Sequence, residues 1–492
     1  MATDKKIILI TAIKNIAVNL IGLPINLICS LIIARQLGPE KTGLTATLIG
    51  LVLSYSILIH FGTLNALGQR FPFLVGKNSK ESSIELTTMP KSILGFIILT
   101  SVIFFTVSSF VSLFYYFNNN LTWAFGIFSA GILSVTQLIK TYSIFFCRSS
   151  NQFNLLTRNT IKFLWTPILI VVSVKYFGLY GQWITMVLTD FLITFSLFKS
   201  LKIKFNFVFD FNQWLFYIKI GIPIFLVGAL YDIFNTSDRL AAATILNSKE
   251  LGIYSVATMS NTIVSIIPMI VAQIMWPRIA ELIGADKPRE TILKYLRIPT
   301  SLLSLLLPVI IGIIFILLPN AIEFFLPKYS TGIQTAKISI FSIYFTGIFG
   351  MYTAYLGTSL KLLPYGFIIL IGIIINWVAI SILRTRVSFS LEIIALIKVF
   401  SFAVIAILAI LYVEFTLSKK FLKSIIILLK LFSPFFYLLF LLFFVVPKSI
   451  LPHYISQQNE LYKSIVQITI LLFFLIPNLI LGIKKVNHKT LI

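Results

Sequence analysis

Apolar runs of roughly twenty residues recur from one end of this chain to the other, and that spacing decides what it can fold into. The hydrocarbon core of a bilayer is about 30 Å thick and takes about 20 helical residues to cross. With that ruler the sequence offers fourteen candidate spans, at 12–34, 43–66, 92–117, 121–147, 159–177, 180–199, 214–237, 250–276, 297–322, 332–358, 363–383, 391–416, 422–446 and 462–484. A backbone surrounded by lipid must satisfy its N–H and C=O groups internally, so each run is predicted to be a helix. Composition agrees: 58% of residues are hydrophobic and 11% charged, whereas soluble domains run at about 45–50% apolar and about a quarter charged. The expected fold class is an all-α integral membrane protein. Spans five and six are separated only by the turn FGLYGQ (177–182), and Pro24, Pro167, Pro223, Pro268, Pro308, Pro434 and Pro477 are expected to kink the spans that hold them.

The net charge of +24 would suggest nucleic acid as partner for a soluble protein, but here the cations are scattered through short loops with no basic patch or binding motif. Their distribution instead sets orientation. About 27 Lys and Arg fall in one set of alternate loops and about 11 in the other, which predicts both termini in the cytoplasm and an even number of spans. The N-terminal MATDKK leads into a broken apolar stretch without a cleavage site, so it reads as the start of a retained first span. Cys29 and Cys147 lie in separate apolar segments and read as packing residues. His60, His453 and His488 are too dispersed for a metal cluster, and neither a phosphate-binding loop nor a dinucleotide fingerprint occurs, so no cofactor is expected.

An internal repeat organises the spans. IARQLGPEKTGLTA (33–46) matches AATILNSKELGIYS (242–255), with Ala34 on Ala243, Gly43 on Gly252 and Leu44 on Ile253. Six spans per repeat is an even number, so the halves share orientation. The expected domains are a six-helix bundle at 1–205, a second at 206–417, and two further helices with a tail at 418–492.

Polar residues inside spans fall on stripes. Asn15, Asn19, Gly22, Asn26 and Ser30 share one face of the first span, and Gly228, Asp232, Asn235, Thr236 and Arg239 share one face of the seventh. The repeat places Asn235 on Asn26 and Arg239 on Ser30, as expected of two half-bundles lining one hydrated cavity; the plainer alternative is polar contact between packed helices. In span four Ser134, Gln137, Lys140, Thr141 and Arg148 share an arc. An intramembrane ion costs at least about 2.5–3.5 kcal/mol on insertion scales, so Lys140 is expected to face the cavity unless its stem snorkels to the headgroups. Asp190, Lys398 and His60 are further intramembrane candidates. The expected substrate-contacting set is Lys140, Arg148, Arg239, Lys398, Gln137, Asn26 and Asn235, with Asp190 and Asp232 as cavity or coupling acids. The outward links offer the acids Glu40, Asp238, Glu250, Glu323, Glu392 and Glu460.

IARQLGPEKTGL resembles the "AR-x-LGPE-x-(F/Y)G" signature of bacterial polysaccharide flippases of the Wzx type, with Thr42 in place of the aromatic. The stretch at 221–257 followed by QIMWPRIAEL (273–282) resembles the second-half hallmark of the same family. That family lies in the larger group of MATE drug exporters and lipid II flippases. The resemblance implies a V-shaped pair of six-helix bundles that carry undecaprenyl-diphosphate-linked oligosaccharide across the inner membrane by alternating access, for O-antigen or other surface polysaccharide. It further implies a polysaccharide polymerase and chain-length machinery as partners. The diphosphate would be held by Lys or Arg, Lys140 first among them on its cytoplasmic depth. Two other functions compete: a cation-coupled MATE-type drug exporter, which Asp190 and Asp232 would serve, and a polyprenyl-dependent membrane glycosyltransferase or polymerase, which would want more acids or a large outward loop.

Overall fold

A computed structural model describes residues 59–201, 210–245, 248–386, 390–446 and 460–488, together with scattered positions between 14 and 52. Candidate spans one and two and the link 33–46 therefore lie largely outside the described residues, and the same holds for the side chains of 242–249.

Every regular element among the described residues is helical. In chain order they are α1 (Thr63–Lys77), α2 (Lys80–Phe117), α3 (Leu121–Ser149), α4 (Phe153–Lys162), α5 (Thr166–Ser200), α6 (Phe211–Ile245), α7 (Ser248–Gly284), α8 (Arg289–Phe325), α9 (Ile333–Ser339), α10 (Ser342–Thr358), α11 (Leu362–Arg386), α12 (Leu391–Ser418), α13 (Phe421–Phe440) and α14 (Glu460–His488). Ten of the helical segments are long and apolar enough to cross a membrane, and an eleventh is formed if the bent pair 329–339 and 342–358 is one span. Their outer faces confirm the solvent. On α2, Ile103, Val107, Phe110, Phe114 and Phe117 recur at helical spacing and all stand exposed, Phe117 at 77%. A stripe of that kind in water would be an aggregation surface; in lipid it needs no cover.

Spans five and six are resolved at one residue. The helix assigned to Thr166–Ser200 contains Gly178 at φ 57 and ψ −138, a backbone conformation for which glycine is the suited residue. The chain reverses there: Ser173 Oγ donates to the Gly181 carbonyl at 2.7 Å, a distance that eight residues of straight helix, rising about 12 Å, could not give. Pro167 does not kink a span. It sits in the first turn of α5, where its missing N–H is not needed and its fixed φ suits helix initiation. The other described prolines expected to kink spans, from Pro223 to Pro477, do lie inside helices.

The chain divides into two compact units, residues 1–226 with 280–286, and 227–279 with 287–492. In the first unit α2 packs on α3 and α3 on α5. Its centre holds Leu67, Met89, Ile93, Ile97, Leu138 and Tyr142, with the Tyr142 hydroxyl donating to the Pro90 carbonyl at 2.9 Å. The beginning of α6 joins this unit at Gly221, where an added Cβ would lie 2.0 Å from the Gly62 carbonyl oxygen, so two glycines let the backbones touch. In the second unit α10 and α11 pack on α12, α12 on α13, and α14 on α8.

Candidate functional site

The second unit encloses a cavity of about 490 Å³. Its walls come from α6, α7, α10, α11 and α12, helices that the apolar pattern predicts but whose rotations it does not fix. From α6 the lining residues are Tyr231, Asn235, Thr236, Asp238 and Arg239; from α12 comes Lys398. Threonine and serine hydroxyls supply much of the rest of the polar surface, and Trp276, Phe349 and Tyr365 supply aromatic faces.

Two cations reach this cavity and they are held differently. Lys398 Nζ donates to Asp238 Oδ2 at 2.8 Å, and the side chains are only 7% and 1% exposed. The Tyr254 hydroxyl donates to the same Asp238 oxygen. Asp238 is therefore not an outward link residue, as the sequence reading has it. The helix runs on to Ile245 and carries Asp238 inside, where the cost of burying either charge alone enforces the pairing. Arg239, the next residue, is exposed to the cavity and donates from Nη2 to the Thr258 hydroxyl at 2.5 Å. No carboxylate pairs with Arg239 among the described residues. With Asp238 matched to Lys398, Arg239 is the lining cation that has no carboxylate partner among the described residues.

One amide oxygen at the cavity wall lacks a partner. Asn261, on α7 and 8% exposed, donates from Nδ2 to Ser339 Oγ at 2.7 Å, while its Oδ1 is buried with no hydrogen bond. A buried amide oxygen left unsatisfied at a cavity wall costs about 1–3 kcal/mol and is met when a ligand hydroxyl or water donates to it.

Of the sequence-predicted residues, Asn235, Arg239 and Lys398 thus share this cavity. Asp232 does not line it; it stands exposed on α6. In the first unit the structure joins two residues singled out separately: Lys140 on α3 donates to Asp190 Oδ1 on α5, and Thr136 donates to Oδ2 at 2.5 Å. The pair is largely covered, at 20% and 14% exposure, and sits beside an apolar pocket lined by Ile139, Phe191 and Phe195. Gln137 and Arg148 are half-buried on α3 without joining that pair. Asn26 donates back to the Gly22 carbonyl of its own helix at 2.8 Å. His60 is buried, its Nδ1 accepting from the Gly62 N–H at 3.1 Å, a structural role. Cys29 and Cys147 are both free and buried.

Sequence reasoning missed a further polar group. Glu414 on α12 is fully buried and accepts from Arg297 Nε at 3.0 Å and from the Tyr352 hydroxyl at 2.9 Å, tying α8, α10 and α12 together. Arg297 and Glu414 lie at the edges of apolar runs, where charges read as ordinary flanks.

The sequence profile described as "Polysaccharide biosynthesis protein" matches residues 32–329, more than half of the chain. The chain belongs to that family. No curated protein matches it in sequence, but solved structures match its fold. The polysaccharide biosynthesis chain aligns with a MATE transporter in its bent conformation at a TM-score of 0.65 and 14% identity, covering 86% of this chain and 97% of that one. A MATE transporter from Vibrio cholerae gives 0.63 at 13% identity, with 85% and 99% covered. A MOP superfamily transporter from Pyrococcus furiosus gives 0.61 at 15% identity, with 83% and 96% covered. The family is that of polysaccharide biosynthesis proteins, and the fold is the one seen in MATE transporters.

Proposed function

We propose that this protein flips an undecaprenyl-diphosphate-linked oligosaccharide from the cytoplasmic to the periplasmic leaflet of the inner membrane, by alternating access between two six-helix halves with both termini inside. The observation that carries the reading is the cavity of the second unit, with net positive charge at Arg239, hydroxyls and the unpaired Asn261 Oδ1 for sugars, and aromatic faces for pyranose rings. A guanidinium is suited to phosphate because its planar fork can make two parallel charge-assisted hydrogen bonds. The polyprenyl tail needs no protein cavity, since lipid solvates it.

A cationic drug is poorly served by the same walls. Asp238 is the carboxylate lining the cavity among the described residues, and Lys398 already neutralises it. The Pyrococcus furiosus relative is described as having a binding pocket of reversed polarity that suggests a different function. A positive cavity here is in keeping with an anionic cargo. Arg239 takes the lead role as anion donor and Asn235 lies beside it. The Lys140–Asp190 pair is assigned to holding α3 against α5.

The test is deletion of the protein in its host with analysis of lipid-linked intermediates. Repeat units should accumulate on the cytoplasmic leaflet, and Arg239→Ala should fail to clear them at normal abundance. Unaltered polysaccharide export with increased sensitivity to cationic compounds would favour the exporter instead.

A further inference from the structure

The contact of Arg297 with the buried Glu414 and Tyr352 fixes three helices at one depth, and beyond it lie three cations that pair with no carboxylate among the described residues. Arg289 begins α8 about 12 Å before Arg297; Lys419 caps α12 about 7 Å past Glu414; Lys361 lies three residues past the end of the helix that carries Tyr352. Since α8 leaves this end of the second unit while α10 and α12 arrive at it, Arg289, Lys361 and Lys419 come from three separate connections to the same end.

Their local structure holds them in place. Leu360 (φ 55) and Lys419 (φ 57) are both left-handed, at helix ends where glycine or asparagine would be the unstrained choice. The Lys361 N–H donates to the Leu356 carbonyl at 2.9 Å, and its ammonium lies 5.5 Å from the centre of the Tyr355 ring. Among the described residues no carboxylate pairs with any of the three cations. Glu290, next to Arg289, forms no ion pair there either. Burial, and then the fields of Arg289 and Lys419, pull the Lys361 ammonium below its ordinary value, as expected where positive charge is uncompensated.

The surroundings are apolar and open. Leu363 is 73% exposed and Leu422 76%, and Phe421 and Leu360 are exposed beside them. Cations edged by outward apolar side chains fit a ligand with a phosphate and an acyl chain on the same molecule.

We propose that Arg289, Lys361 and Lys419 form a binding site for the phosphate of an anionic phospholipid in the leaflet facing this end of the second unit. The site is separate from the cavity, and it stands whether or not the transported cargo is the one proposed above.

The experiment is native mass spectrometry of the full-length detergent-solubilised protein with phosphatidylglycerol or phosphatidylethanolamine added. Retained phosphatidylglycerol should exceed phosphatidylethanolamine, and apparent affinity should fall about fivefold for each cation removed in Lys361→Gln, the Lys361→Gln/Lys419→Gln pair, and the triple variant with Arg289→Gln. Lys175→Gln, which removes one charge from the first unit, should leave retention unchanged. Elution position and unfolding temperature report folding, and the single Lys361→Gln variant still reads the site if the triple variant does not fold. Equal retention of the two lipids, equal loss in Lys175→Gln, or no loss in Lys361→Gln would overturn the proposal. Complete displacement of phosphatidylglycerol by inorganic diphosphate at matched ionic strength would also overturn it, leaving a phosphate site without lipid preference.

Discussion

Lys398 of α12 and Asp238 of α6 meet at 2.8 Å across 160 residues of sequence, and both side chains are buried. Neither can be removed alone without leaving a buried charge. Asp238→Asn or Lys398→Met should each destabilise the protein by about 3–5 kcal/mol, while the double replacement Asp238→Leu/Lys398→Met should recover much of that loss. Thermal unfolding in detergent measures all four forms. A double variant no more stable than the singles would show that the pair does not act as a unit.

Arg239 and Lys140 should behave in opposite ways. Arg239 lines the cavity and, among the described residues, has the Thr258 hydroxyl for partner, so Arg239→Ala should keep normal abundance and lose polysaccharide export, and Arg239→Lys should retain part of it. Lys140 is engaged by Asp190, so Lys140→Ala should lower abundance by stranding a carboxylate, and Lys140→Met/Asp190→Leu should restore both abundance and export. Normal abundance of Lys140→Ala with loss of export would return Lys140 to the role of anion ligand. Immunoblotting at low expression alongside surface polysaccharide separates these outcomes.

How much of this was legible beforehand differs by kind of information. The helices follow from the length of apolar runs, because lipid leaves a chain no other means of satisfying its backbone. Lys140, Asp190, Arg239 and Lys398 stand out for the same reason, being charges inside those runs. Their partners do not, since 50 residues separate Lys140 from Asp190 and only packed helix rotations bring them together. A ruler of about twenty residues ends the span near 237 and so puts Asp238 in a link, whereas α6 continues through RLAAATI to Ile245. Glu414 and Arg297 lie at the flanks of their runs, where a charge normally meets water, so the sequence pattern does not mark them.

Topology provides an independent check. Reporter fusions after Asn119 and Gln457 should report the periplasm, and those after Asn151 and Lys485 the cytoplasm. A cytoplasmic signal at Gln457 would remove the last pair of helices from the set that crosses the membrane.

The reversal at Gly178 yields the last prediction. An added Cβ at Gly178 would touch nothing within 4 Å, so crowding cannot penalise a substitution; only the backbone conformation can. At φ 57 and ψ −138 an L-residue is strained by about 1–3 kcal/mol, and Gly178→Ala should lower stability by that order. Gly228 is the matched control. Its added Cβ also meets nothing within 4 Å, but it lies inside α6, where alanine is favoured over glycine by about 1 kcal/mol. Gly228→Ala should therefore be neutral or stabilising in the same unfolding assay. Because the reversal also joins two membrane spans, Gly178→Ala should weaken the Ser173–Gly181 closure and make a cysteine placed at Tyr176, now 71% exposed, react faster with a thiol reagent. Equal stability and equal labelling in the Gly178→Ala and wild-type backgrounds would mean that the chain passes this point as continuous helix, and spans five and six would be one.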